Sequence, residues 1–185
     1  FDEIAGWLAR WFNVLPLGDA VQRLVAGTLP SRAAAITFDD GYADNFRVAM
    51  PILRRHGLTA SFFIATGFLD GGRMWNDSII ESIRQCTADS LDLKSLGLGT
   101  FDLGSVEARR NTIVALIDQI KYRPVDERIS VGRSLARLAS AKLPNDLMMT
   151  SYEVKAMYSA GMQIAAHTVS HPILACLDDT QARQE

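Results

Sequence analysis

Residues 33–42 have the sequence AAAITFDDGY, a short apolar run that ends in two aspartates and a glycine. No polar residue interrupts the run before Thr37, which is typical of a strand buried on both faces of a sheet. The glycine allows a tight turn directly after the aspartates. A helix is predicted from about residue 43 to 56, with a break or kink near Ala49 because Pro51 has no N–H group to donate.

The next apolar run, LTASFFIA at residues 58–65, predicts a second buried strand. A strand, a helix and a strand in close succession indicate a parallel β-α-β unit. From about residue 70 onwards the periodicity becomes helical, and the pattern gives no convincing strand. We therefore predict a helical insertion at about residues 70–148, after which the β/α alternation resumes.

A second motif lies more than a hundred residues beyond the aspartates. Residues 150–153 (TSYE) are predicted to form a capping box that opens a helix, and residues 162–166 to form the strand that follows it. That strand leads into HTVSHP, which begins at His167. His171 lies four residues later, so both imidazoles can face one point if the segment turns helically.

The residues that follow these strands are of the types that bind a divalent metal. Functional groups of parallel sheets gather beyond the carboxyl ends of the strands, and both motifs lie there. Two imidazoles and one carboxylate form an open three-ligand site that suits zinc, and cobalt, nickel or iron can also occupy it. Only one of Asp39 and Asp40 can readily point at the metal, so the other is available as a base for a metal-activated water. Backbone N–H groups near Gly41 and Tyr42 are candidates for oxyanion stabilisation.

Each motif alone also has a simpler interpretation. Asp-Asp-Gly at a strand end is often a turn with a helix N-cap, and a His-x-x-x-His pair alone is more often not a metal site. Their occurrence together, each after a predicted buried strand, favours a metal-dependent hydrolase. Tyr42 is close enough to line the site. Trp75 and Asp77 begin the insertion either as a capped helix start or as a loop on the rim of the cleft. The Trp and Phe residues near the N-terminus are expected in the core.

Length and composition set broader bounds. The 185 residues suffice for one well-cored domain, and a formal charge of −2 gives no electrostatic argument for nucleic acid or an anionic membrane as partner. No apolar stretch approaches the ~20 residues of a membrane span. Cys86 and Cys176 do not form a disulfide framework by their spacing. The compartment, either cell envelope or cytoplasm, and the oligomeric state stay open.

The two motifs together resemble the polysaccharide deacetylases, the NodB-homology domain of carbohydrate esterase family 4. FNVLPL, GYADNF, LTASFFIATGFLDGG and GMQIAAHTVSHPILA also resemble bacterial members. The resemblance implies an α/β fold, a distorted (β/α) barrel, and removal of N-acetyl groups from N-acetylglucosamine-type polysaccharides or oligosaccharides. In some branches of the family the substrate is an O-acetylated xylan.

The resemblance also implies residue roles. Asp39 resembles the catalytic base, and Asp40, His167 and His171 resemble the ligands of a divalent metal, with Zn²⁺ expected first. The nucleophile is then a metal-activated water, and the partner is an acetylated glycan. Residues 168 and 170, a threonine and a serine, are expected to steady the loop by hydrogen bonds.

The chain departs from the family's pattern after the second motif. Members carry three further motifs downstream, namely an arginine that orients the base, an aspartate with aromatic neighbours, and a histidine that acts as general acid. This chain ends fourteen residues after His171. We therefore expect residues 1–185 to form a single but incomplete domain, a barrel truncated at its C-terminus and without its general acid. An O-acetyl esterase or small-molecule amidase, and a non-catalytic glycan-binding or assembly protein, are the alternatives.

Overall fold

The computed structural model describes residues 1–185 and has a mixed α/β fold. The helices are α1 (Asp2–Trp11), α2 (Leu17–Val25), α3 (Met50–Arg55), α4 (Trp75–Gln85), α5 (Val106–Ile120), α6 (Val125–Leu138), α7 (Ser151–Ser159) and α8 (Asp179–Gln184). The strands are β1 (Asn13–Val14), β2 (Ala33–Ala34), β3 (Thr37–Phe38), β4 (Ser61–Ile64), β5 (Ser90–Asp92), β6 (Thr100–Asp102) and β7 (Gln163–Ala166). No helix combines the length and the apolar character that crossing a membrane requires.

The chain divides into two compact units. The first unit consists of Phe1–Gly72, Asp146–His171 and Gln184–Glu185, and the second of Arg73–Asn145 and Pro172–Arg183. The insertion predicted at about 70–148 thus corresponds to the longer segment of the second unit. The assignment of the whole chain to one domain stays a prediction.

The first unit is organised around a three-stranded parallel sheet with the order β3-β4-β7. Phe38 of β3 is in register with Phe62 of β4, which is in register with Ile164 of β7. The Phe38 and Phe62 rings stack with centroids 4.8 Å apart. Because the strands are parallel, their carboxyl ends meet at one edge of the sheet. The parallel α/β prediction is confirmed, and closure into a barrel stays a prediction.

The single buried strand predicted for the first apolar run is wrong. The run is split into β2, which pairs with β1, and β3, which pairs with β4. Ala35 and Thr37 are exposed, and the other residues of the run are only half-buried. The three alanines present too little side-chain surface to bury a strand on two faces, so an unbroken apolar run overstates its burial.

The helix predicted after the aspartates begins as a π-helix, Asn45–Ala49, and continues as α3. The N–H of Met50 donates to the carbonyl of Asn45, five residues earlier. Pro51 lies in the first turn of α3, where its missing N–H is not needed. The break predicted near Ala49 is confirmed as this change of helix type.

The core of the first unit lies where β4 packs against α3 and α7. Its fully buried side chains include Leu53, Phe62, Ile64, Met149 and Met157. The aromatic residues near the N-terminus do not join it, contrary to expectation. Trp7, Trp11 and Phe12 are 44–47% exposed. Helix α1 contributes only Ala5 to the buried set.

The second unit packs α4, α5 and α6 around its own core, which contains Ile79, Leu116, Ile120 and Leu135. It also contains an antiparallel pair, β5 with β6, which corrects the expectation that no strand occurs between the helices. Each strand has three residues. Such short strands carry too few alternations for period-two patterning to appear in the sequence.

The buried carboxylate of Glu153 links helix α7 to the π-helix. The predicted capping box is confirmed, since Thr150 Oγ1 accepts from the Glu153 N–H and Glu153 accepts from the Thr150 N–H at 2.7 Å. Glu153 Oε1 also lies 3.1 Å from Arg47 Nε. Burial raises the pKa of Glu153, but the hydrogen bonds from Thr150 and Arg47 outweigh burial and hold that pKa below its usual value.

We predict that Glu153→Gln destabilises the first unit at neutral pH by about 1–2 kcal/mol. The folded-state pKa is depressed, so the carboxylate contributes its stability above about pH 4.5 and loses it as the pH falls through the folded pKa. Urea unfolding at pH 7 and pH 3 measures both effects. Glu3→Gln, at an exposed first-turn glutamate of α1, is the matched control. An undiminished difference between wild type and Glu153→Gln at pH 3 would contradict this account.

Candidate metal centre

A tight turn separates the side chains of the two aspartates. The Gly41 N–H donates to the Asp39 carbonyl at 2.9 Å, and Asp40 between them has a φ of 74°. This three-residue turn with a left-handed central residue reverses the direction of the chain after β3. Asp39 is exposed, whereas Asp40 is half-buried.

Asp40, His167 and His171 meet at one point beyond the strand ends. One ligand atom from each lies within 4.8 Å of the other two. Asp40 Oδ1 is 3.5 Å from His167 Nε2 and 3.3 Å from His171 Nε2. The two imidazole rings lie 5.0 Å apart between centroids and are tilted by 39°. The three side chains are 26–39% exposed, so the point remains open to solvent.

The spacing of these atoms suits a shared ion better than direct hydrogen bonds. An N–H···O bond is usually ~2.7–3.2 Å long, and both contacts of Asp40 exceed that range. Two ligand atoms bound at ~2.1 Å to a tetrahedral ion are ~3.4 Å apart, which matches both distances. Two imidazole nitrogens and one carboxylate oxygen are also the donor types that zinc takes in open sites.

The end of β4 anchors both motifs. The Ala65 N–H donates to the Asp40 carbonyl at 3.1 Å, and the His167 N–H donates to the Ile64 carbonyl at 2.9 Å. The Gly67 N–H donates to the Val169 carbonyl at 2.8 Å. A Cβ atom on Gly67 would lie only 2.6 Å from that carbonyl oxygen, so a glycine is required there.

The loop that carries His171 has its own internal support. Thr168 and His171 have positive φ values of 66° and 50°. Thr168 Oγ1 accepts from the His171 N–H at 3.0 Å, and this bond holds the turn. Ser170 Oγ bonds to the carboxylate of Glu185. The threonine and the serine thus both hydrogen-bond to hold the loop, and neither belongs to the three-ligand cluster.

Glu185 also supports this loop, and no sequence pattern singles it out. Its Oε2 accepts from the backbone N–H groups of Val169 at 2.9 Å and Ser170 at 2.7 Å. Burial raises the pKa of Glu185, but the hydrogen bonds from Ser170 and Val169 outweigh it, so this pKa is lowered. The carboxylate therefore stays ionised at neutral pH and holds the loop just before His171. A single glutamate after a polar helix belongs to no sequence motif, so this contact cannot be predicted from the sequence.

The other residues predicted for the site are Gly41, Tyr42, Trp75 and Asp77. Tyr42 is half-buried next to the aspartates and forms an antiparallel bridge with Met148. The Gly41 N–H is already bonded to Asp39, so it is not available to an oxyanion as predicted. Trp75 and Asp77 belong to the second unit, where they open helix α4. Their assignment to the rim of the cleft stays a prediction.

Comparisons with known proteins point to one family. Residues 26–89 match the sequence model described as "Polysaccharide deacetylase". The chain is also similar to "Putative polysaccharide deacetylase YxkH" of Bacillus subtilis (strain 168), with 35% identity over 66 residues, which are 35% of this chain and 24% of that protein. Both comparisons confirm the resemblance to the polysaccharide deacetylases that was drawn from the two motifs. Asp39 and Asp40 lie inside the matched stretch, and the histidines lie outside it.

Two solved structures are similar over most of the chain. One is the BpsB deacetylase domain from Bordetella bronchiseptica, with a TM-score of 0.44, 18% identity, and coverage of 89% of this chain and 42% of that one. The other is a de-N-acetylase from Aggregatibacter actinomycetemcomitans, with a TM-score of 0.42, 21% identity, and coverage of 88% and 41%. The chain spans about a quarter of the curated relative and about two fifths of each solved structure.

We predict that Glu185→Gln weakens Zn²⁺ binding by about tenfold, because loss of the charged acceptor loosens the loop that presents His171. Competition with a chromophoric chelator at pH 7 measures the dissociation constant. Asp179→Asn, at an exposed carboxylate of α8, is the matched control and is expected to leave the constant unchanged. Equal zinc affinities of wild type and Glu185→Gln would show that the hydrogen bonds of Glu185 do not support the ligand.

Proposed function

We propose that the protein is a metal-dependent hydrolase that removes N-acetyl groups from an N-acetylglucosamine-type polysaccharide or oligosaccharide. The observation that carries this proposal is the meeting of the Asp40 carboxylate with the imidazoles of His167 and His171 within 4.8 Å. The match of residues 26–89 to the polysaccharide deacetylase model supports it.

In this proposal Asp40, His167 and His171 hold a divalent cation, with Zn²⁺ favoured by the donor set. When bound, such a cation lowers the pKa of a coordinated water and polarises the carbonyl oxygen of the acetyl group. Cobalt, nickel or iron fit the same donors. The imidazoles are required as neutral ligands, so binding weakens in acid as they become protonated.

Asp39 acts as the general base in this proposal. It is adjacent to Asp40 in sequence, but it is exposed and does not belong to the three-ligand cluster. It is therefore free to accept a proton from the attacking water, while Asp40 is committed to the cation. A proton must also reach the leaving amine, and the proposal assigns no residue to that step. Catalytic removal of acetyl groups is proposed for the whole protein.

The proposal gives the two aspartates separate roles, Asp39 as base and Asp40 as metal ligand, and substitutions at the two positions test it. Asp39→Asn is expected to keep the zinc affinity within about twofold and to lower the rate of acetate release by ~10²–10⁴. Asp40→Asn, the matched change one residue later, is expected to lose zinc affinity and rate together. Acetate release from N-acetylglucosamine oligomers and zinc titration of the same samples measure both quantities.

The outcomes separate the proposal from its rivals. Equal loss of zinc in the two variants would refute separate roles for the aspartates. Release of acetate from O-acetylated xylan fragments but not from N-acetylglucosamine oligomers would make the protein an O-acetyl esterase. Glycan binding without acetate release, unaffected by Asp39→Asn, would make it a non-catalytic binding protein.

A further inference from the structure

The second unit contains a cavity of about 410 Å³ that the proposed reaction does not use. It lies where the turn between α5 and α6 faces the segment that follows Pro172, and all of its lining residues belong to the second unit. Its charged lining residues are Lys121, Arg123, Asp126 and Arg128. Three cations and one carboxylate leave a formal excess of positive charge.

Arg128 is the decisive residue of this cavity. Only 5% of its surface is exposed, and its Nε has no hydrogen-bond partner. Its guanidinium lies over the ring of Trp75, with the ring centroid 5.3 Å from the Arg128 Cζ. Stacking on a ring uses the face of a guanidinium and leaves the N–H groups on its edge. A buried N–H group without an acceptor is costly, so the unpartnered Nε of Arg128 favours an anion in this cavity.

The N-terminus of α6 adds a second source of donors. Helix α6 has 14 residues and begins after Pro124, which provides no side-chain cap. Val125 and Asp126, its first residues, line the cavity together with Arg128. The first N–H groups of a helix have no partner within the helix, and the helix dipole favours an anion there. A bound anion would therefore satisfy both the guanidinium and the helix end.

We propose that this cavity binds a small molecule through an oxyanion, either a carboxylate or a phosphate group, held by Arg128 and the first turn of α6. Arginine forms paired, charge-assisted hydrogen bonds with both groups. Lys121 and Arg123 add long-range attraction, although Lys121 is also paired with Asp118 at 2.7 Å. Tyr122 and Ile173 provide apolar walls for the rest of the ligand.

Titration calorimetry with inorganic phosphate and, separately, with succinate tests this proposal on the full chain. The protein is first freed of metal with EDTA and then dialysed into EDTA-free buffer, so that phosphate cannot report on metal bound at the first unit and no chelator carboxylate competes for the cavity. Arg128→Met keeps the length of the side chain and removes its charge. We expect saturable binding by wild type and a dissociation constant about 10–100 times weaker in Arg128→Met. Arg137→Met, on an exposed position of the same helix, is expected to bind like wild type.

The anion that binds more tightly identifies the ligand class, and binding of either one supports the proposal. If Arg128→Met does not fold, the double variant Lys121→Gln/Arg123→Gln at the rim replaces it, with an expected weakening of several-fold. Equal binding by wild type and the charge-removed variants would overturn the proposal. The stability of the wild type is also compared in sodium chloride and in phosphate at matched ionic strength. Equal stabilisation by the two salts would likewise overturn the proposal.

Discussion

The parallel pairing of β4 with β3 on one side and β7 on the other is the constraint on which the candidate site depends. Parallel strands end at the same edge, so residues that follow β3 and β7 in the chain become neighbours across β4. The Ile64 carbonyl accepts a backbone hydrogen bond from the second motif, and the Ala65 and Gly67 N–H groups donate one to each motif, so both motifs are held at the end of β4. A register slip of one residue would turn the side chains of a strand to the opposite face and separate the three ligand atoms.

The same hydrogen bonds offset local strain. Asp40, Thr168 and His171 all have positive φ values, which cost about 1–3 kcal/mol each where surrounding structure must enforce them. Aspartate tolerates this conformation better than most residues because its short polar side chain can bond locally. The strain at Asp40 has a chemical consequence. It turns the Asp40 carboxylate towards the imidazoles and leaves the Asp39 carboxylate in solvent, so two adjacent and identical residues acquire different environments.

Much of this site was predictable from the sequence, because its signals are local. The charged residues that end the two apolar runs indicated that one of the two aspartates meets His167 and His171. The family resemblance implied that it is Asp40, and the structure brings these three together. The capping box at Thr150 and Glu153 was predictable for the same reason, since its donors and acceptors lie three residues apart. The contact of Glu185 with the loop was not, because fifteen residues of sequence separate it from Ser170 and only tertiary folding joins them.

Errors in the fold prediction arose where apolar character and burial differ. The alanines before β3 are apolar but small, and the structure splits that run between two sheets. Trp7 and Trp11 are large and apolar, yet they stack on one another at the surface of α1. Arg128 shows the converse case, because a charged residue in an amphipathic helix is expected in solvent and is instead buried. Sequence periodicity identifies a helix face, whereas the packing partners decide which residues water reaches.

The central claim is that two imidazoles and one carboxylate hold a single divalent ion. X-ray absorption spectroscopy at the zinc edge, on the zinc-loaded chain and on His167→Ala, tests it most directly. Two imidazole nitrogens and one or two oxygens at about 2.0–2.1 Å are expected in the wild type, and one imidazole fewer in the variant. A coordination sphere of oxygens alone, or an imidazole signal unchanged by the substitution, would contradict it.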